Sequence, residues 1–269
     1  MKHNIRPFLF LSLVSLLTVY ACKKVINVDL KNATPQIVIE GNVVDTVGNT
    51  QVTITKTVDF SASNVYPPVT NAVVTITDST TGQVFPLSQT DSGVYITNAI
   101  RGQVGHTYLL SVTISGTVYT ASSTMPVLVP LDSVTFELDE GANGKNDIDA
   151  VVHFQDPPGI ANYYQFTEFR NGKMIPNTFV LDDRLSDGKY INWTLYNDSS
   201  YLQQGDSLYL TMYCIDKNIY NYFYEFVNVT SNSNGDNATP ANPDTNISGG
   251  VLGYFSAHTF RATRLKIGN

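Results

Sequence analysis

The sequence has 269 residues, a formal net charge of −7 and a charged fraction of only 14%. An acidic chain without a basic stripe lacks the cations that neutralise phosphates, which excludes a nucleic-acid-binding protein. Because Val, Thr, Ser, Asn and Tyr abound, the composition favours strands and polar loops over surface helices.

Residues 1–21 have the layout of a secretory signal peptide, with basic residues, an apolar run and a small final residue. The run, residues 8–22, is shorter than the roughly 20 residues that a membrane-spanning helix needs, so we predict that it is cleaved. Cleavage before Cys22 would remove Lys2 and Arg6 and no acid, and would take the charge from −7 to −9.

Cys22 is the predicted site of lipid attachment. A diacylglycerol on its thiol and an acyl chain such as palmitate on its amine would hold the protein at a membrane, with residues 22–35 as the tether. The alternative is ordinary secretory cleavage that leaves Cys22 as a bare thiol.

Short runs with two-residue alternation predict an immunoglobulin-like antiparallel sandwich over residues 36–125. In the run 106–115 the apolar residues share one face, and Ser115-Gly116 after it predicts a tight hairpin turn. Two prolines in the segment 125–130 interrupt the pattern, so we place a domain boundary there.

Residues 131–269 are predicted to form a second β-rich domain that carries one helix, residues 216–228, capped by Asp216. A strand over 207–215 places Cys214 on its buried face, and residues 251–267 are a terminal strand or hairpin. The predicted fold class is mainly β.

No catalytic motif is present in the sequence. It has neither a Gly-x-Ser-x-Gly elbow nor a His-Glu-x-x-His helix, and His106, His153 and His258 are far apart. We therefore predict a protein that is not an enzyme and needs no cofactor.

Two acidic loops are candidate cation sites. Asp139, Asn143 and Asp147 alternate around a glycine as in a calcium loop, although the twelfth position lacks its carboxylate, so a plain hairpin loop is the alternative.

The second loop contains Asp182, Asp183 and Asp187, which are candidates for acid–base chemistry or for a hard cation. A turn in which these carboxylates cap backbone amides is the alternative.

The sequence contains sixteen tyrosines, some of which could form a surface on which glycans or peptides stack. The candidates are Tyr163, Tyr164, Tyr196 and Tyr201. The alternative is that these rings lie at the edge of the core with only their hydroxyls in water.

Several motifs together resemble a family of uncharacterised lipoproteins that is common in Bacteroidetes and typically encoded beside TonB-dependent receptors. The motifs that carry the resemblance are Cys22 with Val28-Asp29-Leu30, Ile37-Val38-Ile39-Glu40-Gly41, Asn71-Ala72-Val73-Val74-Thr75-Ile76, Gly105-His106-Thr107-Tyr108-Leu109-Leu110, Phe154-Gln155-Asp156-Pro157-Pro158-Gly159, Asn162-Tyr163-Tyr164, Asp182-Asp183-Arg184-Leu185-Ser186-Asp187-Gly188, Asn246-Ile247-Ser248-Gly249-Gly250 and Gly253-Tyr254-Phe255.

The resemblance implies an outer-membrane lipoprotein on the periplasmic or the cell-surface face, and it supplies no catalytic residue. Our leading hypothesis is a non-enzymatic accessory or partner of a TonB-dependent receptor. The alternatives are a glycan- or peptide-binding module that uses exposed tyrosines and a hydrolase that uses Asp182, Asp183 and Asp187.

Overall fold

Fourteen strands and one helix make up the part of the chain described by the computed structural model, which comprises residues 34–48, 50–59, 62–63, 65–140, 146–197, 202–231 and 242–268. The predicted signal peptide, Cys22, Asn143 and Tyr201 lie outside these ranges. Asp139 and Asp147 lie on described strands, but their side chains are outside the description.

The mainly β fold class is confirmed. The strands are β1 Ile37–Val44, β2 Thr50–Lys56, β3 Val73–Asp78, β4 Gln83–Asp91, β5 Val94–Thr97, β6 Thr107–Ile114, β7 Thr117–Thr124, β8 Ser133–Glu140, β9 Asn146–Gln155, β10 Tyr163–Arg170, β11 Lys173–Asp182, β12 Tyr190–Leu195, β13 Ser207–Cys214 and β14 Leu252–Lys266. The helix, α1, is Lys217–Ser231.

The strands form one large and one small sheet. The eleven-stranded sheet has the order β11-β10-β13-β14-β1-β2-β5-β4-β3-β6-β7, and the three-stranded sheet has the order β12-β9-β8. The segment 251–267, predicted as a strand or a hairpin, contains a single long strand, β14. Its first half pairs in parallel with β1, and its second half pairs antiparallel with β13.

Two hydrophobic cores lie within the compact unit Pro35–Asn269. The first includes Ile39, Val52, Ile76, Leu110, Met125 and Phe255. The second includes Phe154, Phe166, Leu195, Leu210, Met212 and Ile267. The division between residues 36–125 and 131–269 stays a prediction. The single strand β14 pairs with β1 of the first range and with β13 of the second.

Local sequence signals explain the turns and the helix. Ser115 and Gly116 have φ angles of 49° and 85° and connect β6 to β7, as a tight two-residue turn requires. The Asp216 carboxylate accepts hydrogen bonds from the backbone N–H groups of Asn218 and Ile219, which caps α1. Ile219 and Tyr220 then pack the helix onto the outer face of the large sheet.

Among the described residues, no helix has both the length and the apolar character needed to cross a membrane.

Candidate functional site

A groove of about 560 Å³ lies on the outer face of the large sheet, beside α1. Strand alternation explains its lining, since Phe255 and Ala257 enter the first core while Tyr254, Ser256 and His258 point into the groove. The same alternation on β10 sends Phe166 into the second core and Gln165 and Thr167 into the groove. The strands thus supply the floor of the groove, and α1 adds Tyr222, Phe223 and Phe226 as one wall.

The aromatic rings at this wall pack against one another at steep angles and do not form a flat platform. Tyr222 and Phe223 are nearly perpendicular at 88°, and each meets Tyr254 at a tilt, with centroids 5.2 and 5.0 Å away. Phe226 is 41% exposed and Met174, which also lines the groove, is 51% exposed. The groove therefore presents adaptable apolar surface to solvent.

Glu40 is the carboxylate that lines the groove. Its side chain reaches solvent, yet its pKa is raised because the surrounding groups remove part of its hydration. Burial, together with the charge of Glu40, raises the pKa of Tyr222 to about 12. The groove is thus lined by an acidic side chain, and it favours a cationic group in a ligand.

His258 is a buried residue of the groove lining, and burial lowers its pKa to about 4, so its ring is neutral at pH 7. Its Nδ1 is 2.9 Å from the Ser256 hydroxyl oxygen, and its ring packs edge-on against Tyr213. Ser256 is itself buried in a regular strand, so the pair lacks the exposed nucleophile of a hydrolase.

The second acidic loop divides between two environments. Asp182 forms a salt bridge with Arg184 at 2.7 Å and accepts a hydrogen bond from Tyr220 on α1. Asp183 and Asp187 instead meet Asp156, with one oxygen of each carboxylate within 4.8 Å of the others. The structure thus brings together two of the three predicted aspartates and adds one that the sequence analysis missed.

Each carboxylate of this triad, Asp156, Asp183 and Asp187, also accepts hydrogen bonds. Asp156 accepts from the Tyr164 hydroxyl and from Gly188 N at 3.0 Å. Asp183 accepts from Asn162 N at 2.8 Å.

Asp187 accepts from Gly159 N at 2.7 Å. The pKa of Asp183 is raised, first because the carboxyl is buried and also because Asp156 and Asp187 are close to it.

The candidate stacking tyrosines are dispersed. Tyr164 is buried against Phe154, and Tyr163 is half-buried against Tyr220. Tyr196 is 61% exposed. These described residues form no shared platform, and the rings that line the groove come from β10, β13, β14 and α1 instead.

Asp156 and Glu40 were missed as site residues for different reasons. The segment Asp156-Pro157-Pro158-Gly159 was interpreted only as the end of β9. Glu40 alternates with the buried residues Ile39 and Gly41, as a solvent-facing residue does. Only the tertiary arrangement shows that Glu40 lines the groove and that Asp156 belongs to a cluster of carboxylates.

Two solved structures have low similarity to the chain. The chain resembles a DUF4785 family protein from Legionella pneumophila with 15% identity and a TM-score of 0.25, over 66% of this chain and 52% of that one. It therefore spans about half the length of the Legionella protein.

A chain described as "Cytokine receptor complex" is similar with 11% identity and a TM-score of 0.27, over 87% of this chain and 97% of that one. No curated protein matches the chain. Residues 23–264 match the family model described as "Domain of unknown function (DUF4249)", and the chain belongs to this family.

Proposed function

We propose that this chain is a non-enzymatic accessory lipoprotein, anchored in the outer membrane through Cys22, whose groove binds an extended segment of a TonB-dependent receptor. The observation that carries the proposal is the groove, with its exposed apolar residues and its carboxylate, Glu40. The anchor rests on the sequence of residues 1–22 and on the family resemblance.

Groove chemistry favours a protein segment over a glycan. A sugar ring needs a flat aromatic face, but the rings of Tyr222, Phe223 and Tyr254 are tilted by 47° to 88° relative to one another. Apolar side chains fit between tilted rings and an adaptable Met174, and a Lys or Arg pairs with Glu40. Among the binding alternatives, a peptide is therefore the better match.

The position of Asp182 argues against a hydrolase. Its carboxylate is engaged by Arg184 and Tyr220, apart from the triad that Asp183 and Asp187 form with Asp156. A pair of carboxylates for acid–base catalysis would need an accessible cleft between them. Asp156 and Asp183 are buried, so this alternative has less support than binding.

Photocrosslinking in intact membranes tests the groove. A photoreactive phenylalanine analogue at Phe226 should form an adduct with a TonB-dependent receptor, and Glu40→Gln should lower its yield. The matched control is the same analogue at Leu185, an apolar residue that is 90% exposed and does not line the groove. The proposal fails if Phe226 gives no adduct, or if both positions give the same adducts.

Metabolic labelling with an alkyne fatty acid tests the anchor separately. Wild-type protein should incorporate the label and sediment with outer membranes, whereas Cys22→Ser should do neither. Unlabelled wild-type protein in the culture fluid would contradict the anchor without affecting the groove.

A further inference from the structure

The triad of Asp156, Asp183 and Asp187 lies where two turns meet, one after β9 and one after β11. One oxygen of each carboxylate is within 4.8 Å of the others. Oxygen ligands of a calcium ion lie about 2.4 Å from it, so two of them are at most roughly 4.8 Å apart. The triad therefore has the dimensions of a single cation site.

A second observation comes from Asn162, which is only 5% exposed. Its side-chain oxygen, Oδ1, is buried and has no hydrogen-bond donor in the part of the chain that the structure describes. A buried amide oxygen without a hydrogen-bond donor costs free energy, and beside carboxylates such an oxygen is a candidate ligand for a cation.

The strand register places the Asn162 side chain beside that of Asp183. Asp183 N donates to Asn162 O at 3.3 Å, and Asn162 N donates to the Asp183 carboxylate, so the two residues oppose each other just beyond the paired ends of β10 and β11. Opposed residues of an antiparallel pair place their side chains on the same face. Tyr164, two residues further along, shares this face, and its hydroxyl reaches Asp156.

The basic side chains beside the triad are engaged elsewhere. The Arg184 guanidinium pairs with Asp182, and the Lys189 ammonium donates to the carbonyl of Leu185 at 2.8 Å. None of the salt bridges among the described residues includes Asp156, Asp183 or Asp187. Two buried carboxylates and a third nearby are thus left without a protein cation.

We infer that Asp156, Asp183, Asp187 and the amide oxygen of Asn162 bind one calcium ion. The all-oxygen donor set selects a hard cation over zinc or copper. Three carboxylates and an amide from two turns suit the irregular shell of calcium, because magnesium usually takes one or two carboxylates and keeps its waters. The ion would tie the turn after β9 to the turn after β11, and this inference is independent of the groove.

Calorimetric titration of the purified full-length protein with calcium chloride, in chelator-treated buffer at pH 7, tests the inference. Wild type should bind one calcium ion per chain. Asp187→Asn, at the exposed member of the triad, should weaken binding about tenfold or more, as should Asn162→Ala. The matched control is Asp182→Asn, which removes the same charge from the same loop and should leave calcium affinity unchanged.

Thermal unfolding with and without a chelator gives a second readout, which also reports whether each variant folds. Calcium should raise the unfolding midpoint of wild type and Asp182→Asn, and not that of Asp187→Asn.

Absence of saturable binding by wild type up to about 10 mM calcium would overturn the inference. Equal losses in Asp182→Asn and Asp187→Asn would do so as well, and tighter binding of magnesium chloride would overturn the assignment to calcium.

Discussion

The Ser123 hydroxyl donates a hydrogen bond to the Asp216 carboxylate and so joins β7 to the N-terminus of α1. The same hydroxyl oxygen accepts from Ala257 N at 2.7 Å, and the other Asp216 oxygen caps the helix. One buried serine therefore holds together an edge strand, the long strand β14 and the helix that walls the groove.

Ser123→Ala tests this connection. The change leaves Ala257 N and a carboxylate oxygen without a partner, so we expect the free energy of unfolding to fall by about 2–3 kcal/mol. Chemical denaturation is the measurement. Ser122→Ala, an exposed neighbour on the same strand, should change it by less than about 0.5 kcal/mol, and equal effects of the two variants would contradict the connection.

Gly253 is required where β14 pairs with β1. Its φ is 98°, and a Cβ there would lie 2.0 Å from Ile39 O, its partner in the register. Gly253→Ala should lower the free energy of unfolding by at least about 3 kcal/mol, because backbone strain and a backbone clash add.

The control for Gly253 is Gly250→Ala. Gly250 also has a positive φ, 71°, but a Cβ on this residue would have no atom within 4 Å of it. Only the strain of about 1–2 kcal/mol should appear in thermal or chemical denaturation. A Gly253 variant as stable as the Gly250 variant would refute the close approach of β14 to β1.

Two buried groups give opposing pH dependences. The pKa of His258 falls from 6.5 to about 4 on folding, so its contribution to stability is lost as pH falls from 6.5 towards 4. The pKa of Glu168 rises from 4.5 to about 7, first through burial and also through the charge of Asp149, so its contribution is lost as pH rises from 4.5 to 7. Each amounts to about 3 kcal/mol, and they offset each other between pH 4.5 and 6.5.

Single substitutions should reveal each slope. Relative to wild type, Glu168→Gln should gain stability as pH rises through the range 4.5–7, and His258→Gln should gain it as pH falls through the range 6.5–4. Urea denaturation at several pH values measures both differences. Difference curves that are flat with pH would show that the two groups titrate normally.

Local patterns explain what the sequence could predict. The alternation of Tyr108, Leu110 and Val112 predicts β6, and Asp216 predicts the start of α1, because both signals depend on neighbours in the chain. The double pairing of β14 and the meeting of Asp156 with Asp183 depend on partners far away in sequence. No local signal predicts the double pairing of β14 or the meeting of the aspartates. The groove could not be predicted either, because the sequence pattern of a strand is the same whether its polar residues face solvent or a concave surface.

The position of β14 also bears on the order in which the protein can fold. During synthesis β1 emerges early, but β14, which lies beside it through pairs such as Val38 with Leu252, emerges only after strands β2 to β13. Pairings between such distant segments form slowly, because a long loop must close first. The first core therefore stays open along one side until β14 has left the ribosome, and a chain that stops before Leu252 would leave apolar residues of this core exposed.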